Sequence, residues 1–214
     1  MDGMMQYMSE LDVSPENVSF LILAEIVQCP AMGEMTRQGF VDGWTNIGYA
    51  FTWPAFSTRT STVSATTIPA QTQHINSIQS QLPSNNPTSR AHMRKIYRYT
   101  FPLFKPAESR AIQLDVATTL WRVLFAPPSM SWNTETTPWL DWWIEFLEAR
   151  YKKAVNKDMW DQTYEFAEKT LGDEKMAWYD ESTSAWPAVV DEFIGWVKER
   201  RGSGGGGGES MQVD

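Results

Sequence analysis

Residues 156–196 read NKDMWDQTYEFAEKTLGDEKMAWYDESTSAWPAVVDEFIGW, and their spacing predicts two helices. Trp160, Tyr164, Ala167 and Leu171 recur at i, i+4, i+7 and i+11, which makes one apolar stripe along a helix. At about 100° per residue, Asp158 falls on the opposite side of that helix. Trp186, Val190, Phe193 and Val197 repeat the pattern, and Asp191 again points away from the stripe. Two carboxylates and one small residue, Ala185, are thereby left off faces rich in tryptophan. This arrangement predicts a docking surface rather than a catalytic centre. A second reading stays open: solvated carboxylates at helix starts, where the positive end of the dipole favours them.

Working outward, helical periodicity punctuated by proline dominates, and strand signals are almost absent. A first helix is expected over residues 3–11. Ser14-Pro15-Glu16 is a start signal, with a capping serine, proline at the first helical position and an early acid. The helix it opens carries Phe20, Leu23, Ala24 and Val27 and is expected to stop at Pro30. A third runs from about Thr36 through Phe40, Trp44 and Ile47, with Gly48 as its end. These three resemble one and a half EF-hand-like units within residues 1–55.

Residues 56–72 are rich in Ser and Thr and are read as a mobile insertion. Ile75, Ile78 and Leu82 mark one side of a modest helix, and residues 83–87 form a linker. Beyond it, Ile96, Tyr97, Phe101 and Phe104 begin a second lobe. Helices over 114–125, 138–151, 157–171 and 186–200 complete the helical remainder, residues 73–201. Residues 202–214 contain five consecutive glycines, cannot bury enough surface to fold and are expected to be disordered. The fold class is therefore all-α, with an EF-hand-like N-terminal lobe without calcium ligands packed on a helical C-terminal lobe.

Composition narrows the function. The 214 residues suit one domain or two closely packed lobes, and an apolar fraction of 42% suffices for a core. Eleven tryptophans are several times the usual number, so most must be buried. Eighteen basic residues against 26 acidic ones give a net charge of −8, which argues against nucleic acid and an anionic membrane and favours a basic protein partner. No apolar run approaches ~18 residues and the N-terminus lacks a signal-peptide pattern, so an intracellular chain is expected. The lone Cys29 excludes an internal disulfide and suits a reducing compartment.

Each candidate chemistry has a plainer rival. The turn from Pro30 to Met35 offers one carboxylate, Glu34, where a calcium loop needs oxygen ligands at alternate positions and a final glutamate. One cysteine and two separated histidines, His74 and His92, do not supply the roughly four ligands of a zinc site. Neither histidine sits near a nucleophile motif, and both are expected to be exposed on polar helices. Cys29 could carry a thioester, but it ends an apolar helix with no basic neighbour and reads as a packed cysteine. Trp139, Trp142, Trp143 and Phe146 suggest a ligand cage, but Leu140, Ile144 and Leu147 widen that face and favour core. No metal or cofactor is expected.

Five words in the chain resemble one family. Leu140-Asp141-Trp142-Trp143 through Phe146-Leu147, Asp158-Met159-Trp160, Tyr179-Asp180-Glu181, Ala185-Trp186-Pro187 and Asp191-Glu192-Phe193 look like the potentiating-neddylation domain of the defective-in-cullin-neddylation proteins. Residues 40–44 and 97–101 also fit, and the resemblance covers residues 3–200. It implies a non-enzymatic co-ligase that holds a cullin and the conjugating enzyme charged with a ubiquitin-like modifier. The family's Asp, Ala, Asp cullin-binding patch falls on Asp158, Ala185 and Asp191, facing the cullin's C-terminal winged-helix region. Its second site takes the N-acetylated methionine of the neddylation conjugating enzyme. Here it would be lined by Met4, Met8, Phe20, Leu23, Ala24, Val27 and Met35, with Leu103, Leu120 and Val123 from the second lobe; ordinary core is the other reading of this set.

The resemblance also implies a ubiquitin-ligase complex as setting and the cytoplasm and nucleus as location. It leads one to expect a further helix before Asp2-Gly3, and in some members a ubiquitin-binding module ahead of it. A degenerate EF-hand-like protein-binding module without a role in neddylation is the alternative.

Overall fold

The computed structural model of the protein describes residues 2–50, 67–84, 86–180, 182 and 185–203. Most of the expected insertion and nearly all of the glycine-rich tail lie outside them. Among the described residues the regular structure is helical, apart from two short strands, β1 (Ala111–Ile112) and β2 (Val155–Asn156). No described helix is long and apolar enough to cross a membrane. The all-α expectation holds. The chain divides into two compact units, one of Met1–Ile112 with Thr119–Ser131 and one of Gln113–Thr118 with Trp132–Asp214.

The first unit contains α1 (Asp2–Glu10), α2 (Val18–Ile26), α3 (Arg37–Ala50), α4 (Ile68–Gln81), α5 (Pro87–Phe104) and the later turns of α6 (Leu114–Leu124). Helix α2 is its centre: every one of its residues is buried, and α3, α4 and α5 all pack on it. Its start differs from the expected one. The Ser14 hydroxyl accepts the Glu16 amide at 3.2 Å, closing a turn two residues on, and Asn17 caps the helix by accepting the Ser19 amide at 2.8 Å. Its end also precedes Pro30. Gln28 adopts a left-handed φ of 50°, its amide donates to the Glu25 carbonyl at 3.4 Å, and that of Cys29 donates to Ala24 at 3.0 Å. This Schellman closure ends the helix without proline.

Thr36 opens α3 by accepting the Gly39 amide at 3.0 Å. The helix then runs through Gly48 to Ala50, because a glycine weakens a helix without by itself ending one. Gly39 and Gly43, one turn apart, let α3 lie directly on the end of α2. A Cβ at Gly39 would sit 2.3 Å from the Val27 carbonyl oxygen, and one at Gly43 would sit 2.2 Å from that of Ile26.

Helix α4 begins at Ile68, inside the stretch read as an insertion, with Thr67 at the cap position and Pro69 in its first turn. Helix α4 belongs to the first unit, and so does α5, which was expected to begin a second lobe. Ile75 and Leu82, with Met93, Ile96, Tyr97 and Phe101, are buried, and both helices find their cover on α2. The Trp121 indole donates to the Tyr97 hydroxyl at 2.8 Å, so neither buried polar group is wasted.

The second unit holds α7 (Trp139–Phe146), a π-helical turn (Leu147–Tyr151), α8 (Lys157–Gly172) and α9 (Ala188–Ser203). Helix α7 packs on α9. Phe166 is the hub of an aromatic core, with the rings of Trp132, Trp139, Trp178, Trp186 and Phe193 all 5.8–6.0 Å from its own. Trp139, Trp143 and Phe146 are fully buried, which makes them core. Trp142 is only half-buried, edge-on to Trp196 at 5.9 Å and beneath the Arg200 guanidinium at 5.1 Å.

Candidate functional site

Both acidic positions are built by helix starts. Asn156 caps α8, its side chain accepting the Met159 amide at 2.8 Å. Met159 and Trp160 then turn inward and are buried, which leaves Asp158 exposed in the first turn. Asp161 is occupied by Lys157 one turn earlier. At α9 the Pro187 carbonyl accepts the amides of Val190 at 2.8 Å and Asp191 at 3.4 Å. Val190, Phe193, Ile194 and Val197 are buried, and Asp191 stands in the first turn. The positive helix end favours a carboxylate at each place.

Asp191 departs from the sequence reading in one respect. It is half-buried, and one of its carboxylate oxygens accepts the Tyr179 hydroxyl at 2.8 Å. Tyr179 belongs to a word quoted above but carried no role there. Nothing periodic links a tyrosine to an acid twelve residues on across a loop, so only the fold brings them together. Ala185 is exposed, and the adjacent Trp186 anchors it by packing 5.9 Å from Phe166 and 5.8 Å from Trp178. Asp158, Ala185 and Asp191 thus all lie in the second unit.

The ten apolar candidates lie together in the first unit, so Leu103, Leu120 and Val123 do not come from a second lobe. Met8, Phe20, Leu23, Ala24, Val27, Leu103 and Leu120 are buried, and Leu23, Ala24 and Val27 have no exposure at all. Met4, Met35 and Val123 keep part of their surface. Most of the set is buried, and three members keep partial exposure.

Both histidines are half-buried rather than exposed. The His74 ring stands edge-on to Trp44 at 6.4 Å, and its pKa is lowered by burial first and by the nearby His92 second. Cys29 is buried, and burial pushes its thiol up to about 11, which keeps it protonated and unreactive near neutral pH. Burial likewise pushes the Tyr7 phenol up to about 12. Among the described residues no three or more His, Cys, Asp and Glu side chains gather as metal ligands.

Taken together, these features define a helical protein whose second unit carries Asp158 and Asp191 in the first turns of two helices beside an aromatic core. Residues 70–196, more than half of the chain, match the family described as cullin binding. A protein of Pyricularia oryzae named defective in cullin neddylation protein 1 is 33% identical, over 98% of this chain and 70% of its own length. The protein of that name from Yarrowia lipolytica is 30% identical over 93% of this chain and 71% of its own. Human DCN1-like protein 5 is 26% identical over 94% and 72%. The chain belongs to the cullin-binding family of defective-in-cullin-neddylation proteins.

Proposed function

We propose that this protein is a non-catalytic scaffold of cullin neddylation, working within a ubiquitin-ligase complex. Asp158, Ala185 and Asp191 bind the C-terminal winged-helix region of a cullin. The carboxylates pair with its lysines or arginines, and the alanine lets the partner's backbone approach. The observation that carries this reading is the placing of both aspartates in the first turns of α8 and α9, off the buried stripes and inside the span that matches the cullin-binding family.

The apolar set of the first unit takes the acetylated N-terminus of the conjugating enzyme. The partial exposure of Met4, Met35 and Val123 supports access to the set, and acetylation removes an ammonium charge that would be costly to bury. Holding both reactants makes an otherwise bimolecular transfer effectively unimolecular. The reacting thiol belongs to the conjugating enzyme and the acceptor lysine to the cullin. Cytoplasm and nucleus are the compartments this role implies.

The test is a titration of a cullin C-terminal region into the wild-type chain and into Asp191→Lys. Replacing an attraction by a repulsion is expected to weaken binding by about 2–5 kcal/mol at low salt, with the helical circular dichroism unchanged. Equal affinity for the folded variant would move the interface elsewhere.

A further inference from the structure

We infer that Tyr179 is a positioning residue for the cullin contact, holding the Asp191 carboxylate in one orientation for the partner's cation; this rests on the cullin-binding reading above. The Tyr179 hydroxyl donates to one oxygen of Asp191 at 2.8 Å. Asp191 makes no ion pair among the described residues, so its second oxygen remains for the partner. A carboxylate already held loses less freedom on binding than one that swings among rotamers.

Tyr179 is itself held from several sides. The Asp173 carboxylate accepts the amides of Lys175 at 3.0 Å and Ala177 at 2.9 Å, which shapes the loop after α8. Met176 follows in a left-handed conformation, φ 57°, with its side chain buried, and its carbonyl accepts the Tyr179 amide at 3.0 Å. Trp178 meets the Tyr179 ring edge-on at 6.2 Å. On the ring face lies the Lys198 ammonium, 5.1 Å from the centroid. Lys198 follows Asp191 by two turns of α9. A cation over a ring face is attracted there by the ring quadrupole, so Lys198 helps to hold the tyrosine in place. One side chain thereby orients the acid with its hydroxyl and is itself held by a lysine over its ring.

The experiment titrates a cullin C-terminal region into the full chain as wild type, Tyr179→Phe, Asp191→Ala and the double variant. Phenylalanine keeps the ring and its contacts, so the unfolding midpoint is expected to stay near that of the wild type. Tyr179→Phe is expected to bind the cullin about threefold to tenfold more weakly. In the Asp191→Ala background the same change is expected to do nothing further, because there is no carboxylate left to orient. A tyrosine with a merely structural role would weaken binding equally in both backgrounds. That outcome, or a Tyr179→Phe affinity equal to wild type while Asp191→Ala binds weakly, overturns the inference and leaves the cullin contact standing. If Asp191→Ala binds as the wild type does, the contact itself falls and the inference with it.

Discussion

At the scale of single residues, His74 couples the first unit to pH. Burial against Trp44 holds its pKa below the ordinary value of about 6.5, and His92 adds to the effect. The unfolded chain therefore takes up the proton more readily than the folded one. The stability that follows from a neutral His74 is complete above about pH 6.5 and is lost as pH falls toward the lowered value. Urea midpoints measured between about pH 5 and 8 are expected to decline on the acid side for the wild type and to decline less for His74→Gln. Identical pH slopes for the two chains would remove His74 from this account. The sequence offered no sign of it, since a histidine among glutamines and serines reads as solvated. Only the packing of α4 shows the ring against an indole.

At the scale of elements, the contact between α2 and α3 is decided by backbone. Gly39 and Gly43 meet the carbonyls of Val27 and Ile26, and a main chain yields far less easily than the end of a flexible side chain. Gly43→Ala would raise helix propensity yet force the two helices apart, and the second effect is expected to win, at a net loss of about 1–3 kcal/mol. Chemical denaturation measures it, and an unchanged or raised midpoint would show that α3 can shift without loss. The helices themselves were readable from period, because burial of one face requires apolar residues at that spacing. Their ends were less so. Ser14 and Asn17 are both good caps, and the choice between them was made by the turn that Ser14 closes on Glu16. Gly48 looked like a stop and is traversed, while Ile68 looked like insertion and begins a helix.

At the scale of the whole molecule, the two proposed contacts lie in different units and depend on different physics. The cullin contact is ionic, on a chain of net charge −8, and is expected to weaken as salt rises from about 0.05 to 0.5 M. The acetylated peptide would be held by apolar burial and should change little over that range. Asp191→Lys should abolish the first without touching the second, and removing the peptide's acetyl group should do the reverse, by at least ~10-fold. Calorimetry with both ligands on both chains decides the matter. Equal affinity for acetylated and unacetylated peptide would remove the apolar pocket, whatever happened at the cullin contact.

By itself the sequence determined the all-α class, the positions of the helices, the aromatic core and the two acids that stand off it. All of these follow from local periodicity, in which a residue's face is fixed by its neighbours three and four positions away. Tertiary structure alone decided which helices share a unit, for α4 and α5 are covered by α2 across long stretches of chain. It likewise buried seven of the ten residues of the proposed pocket lining, placed His74 on Trp44 and joined Tyr179 to Asp191. Each of these depends on which distant surface arrives to exclude water, and no spacing within one helix records that.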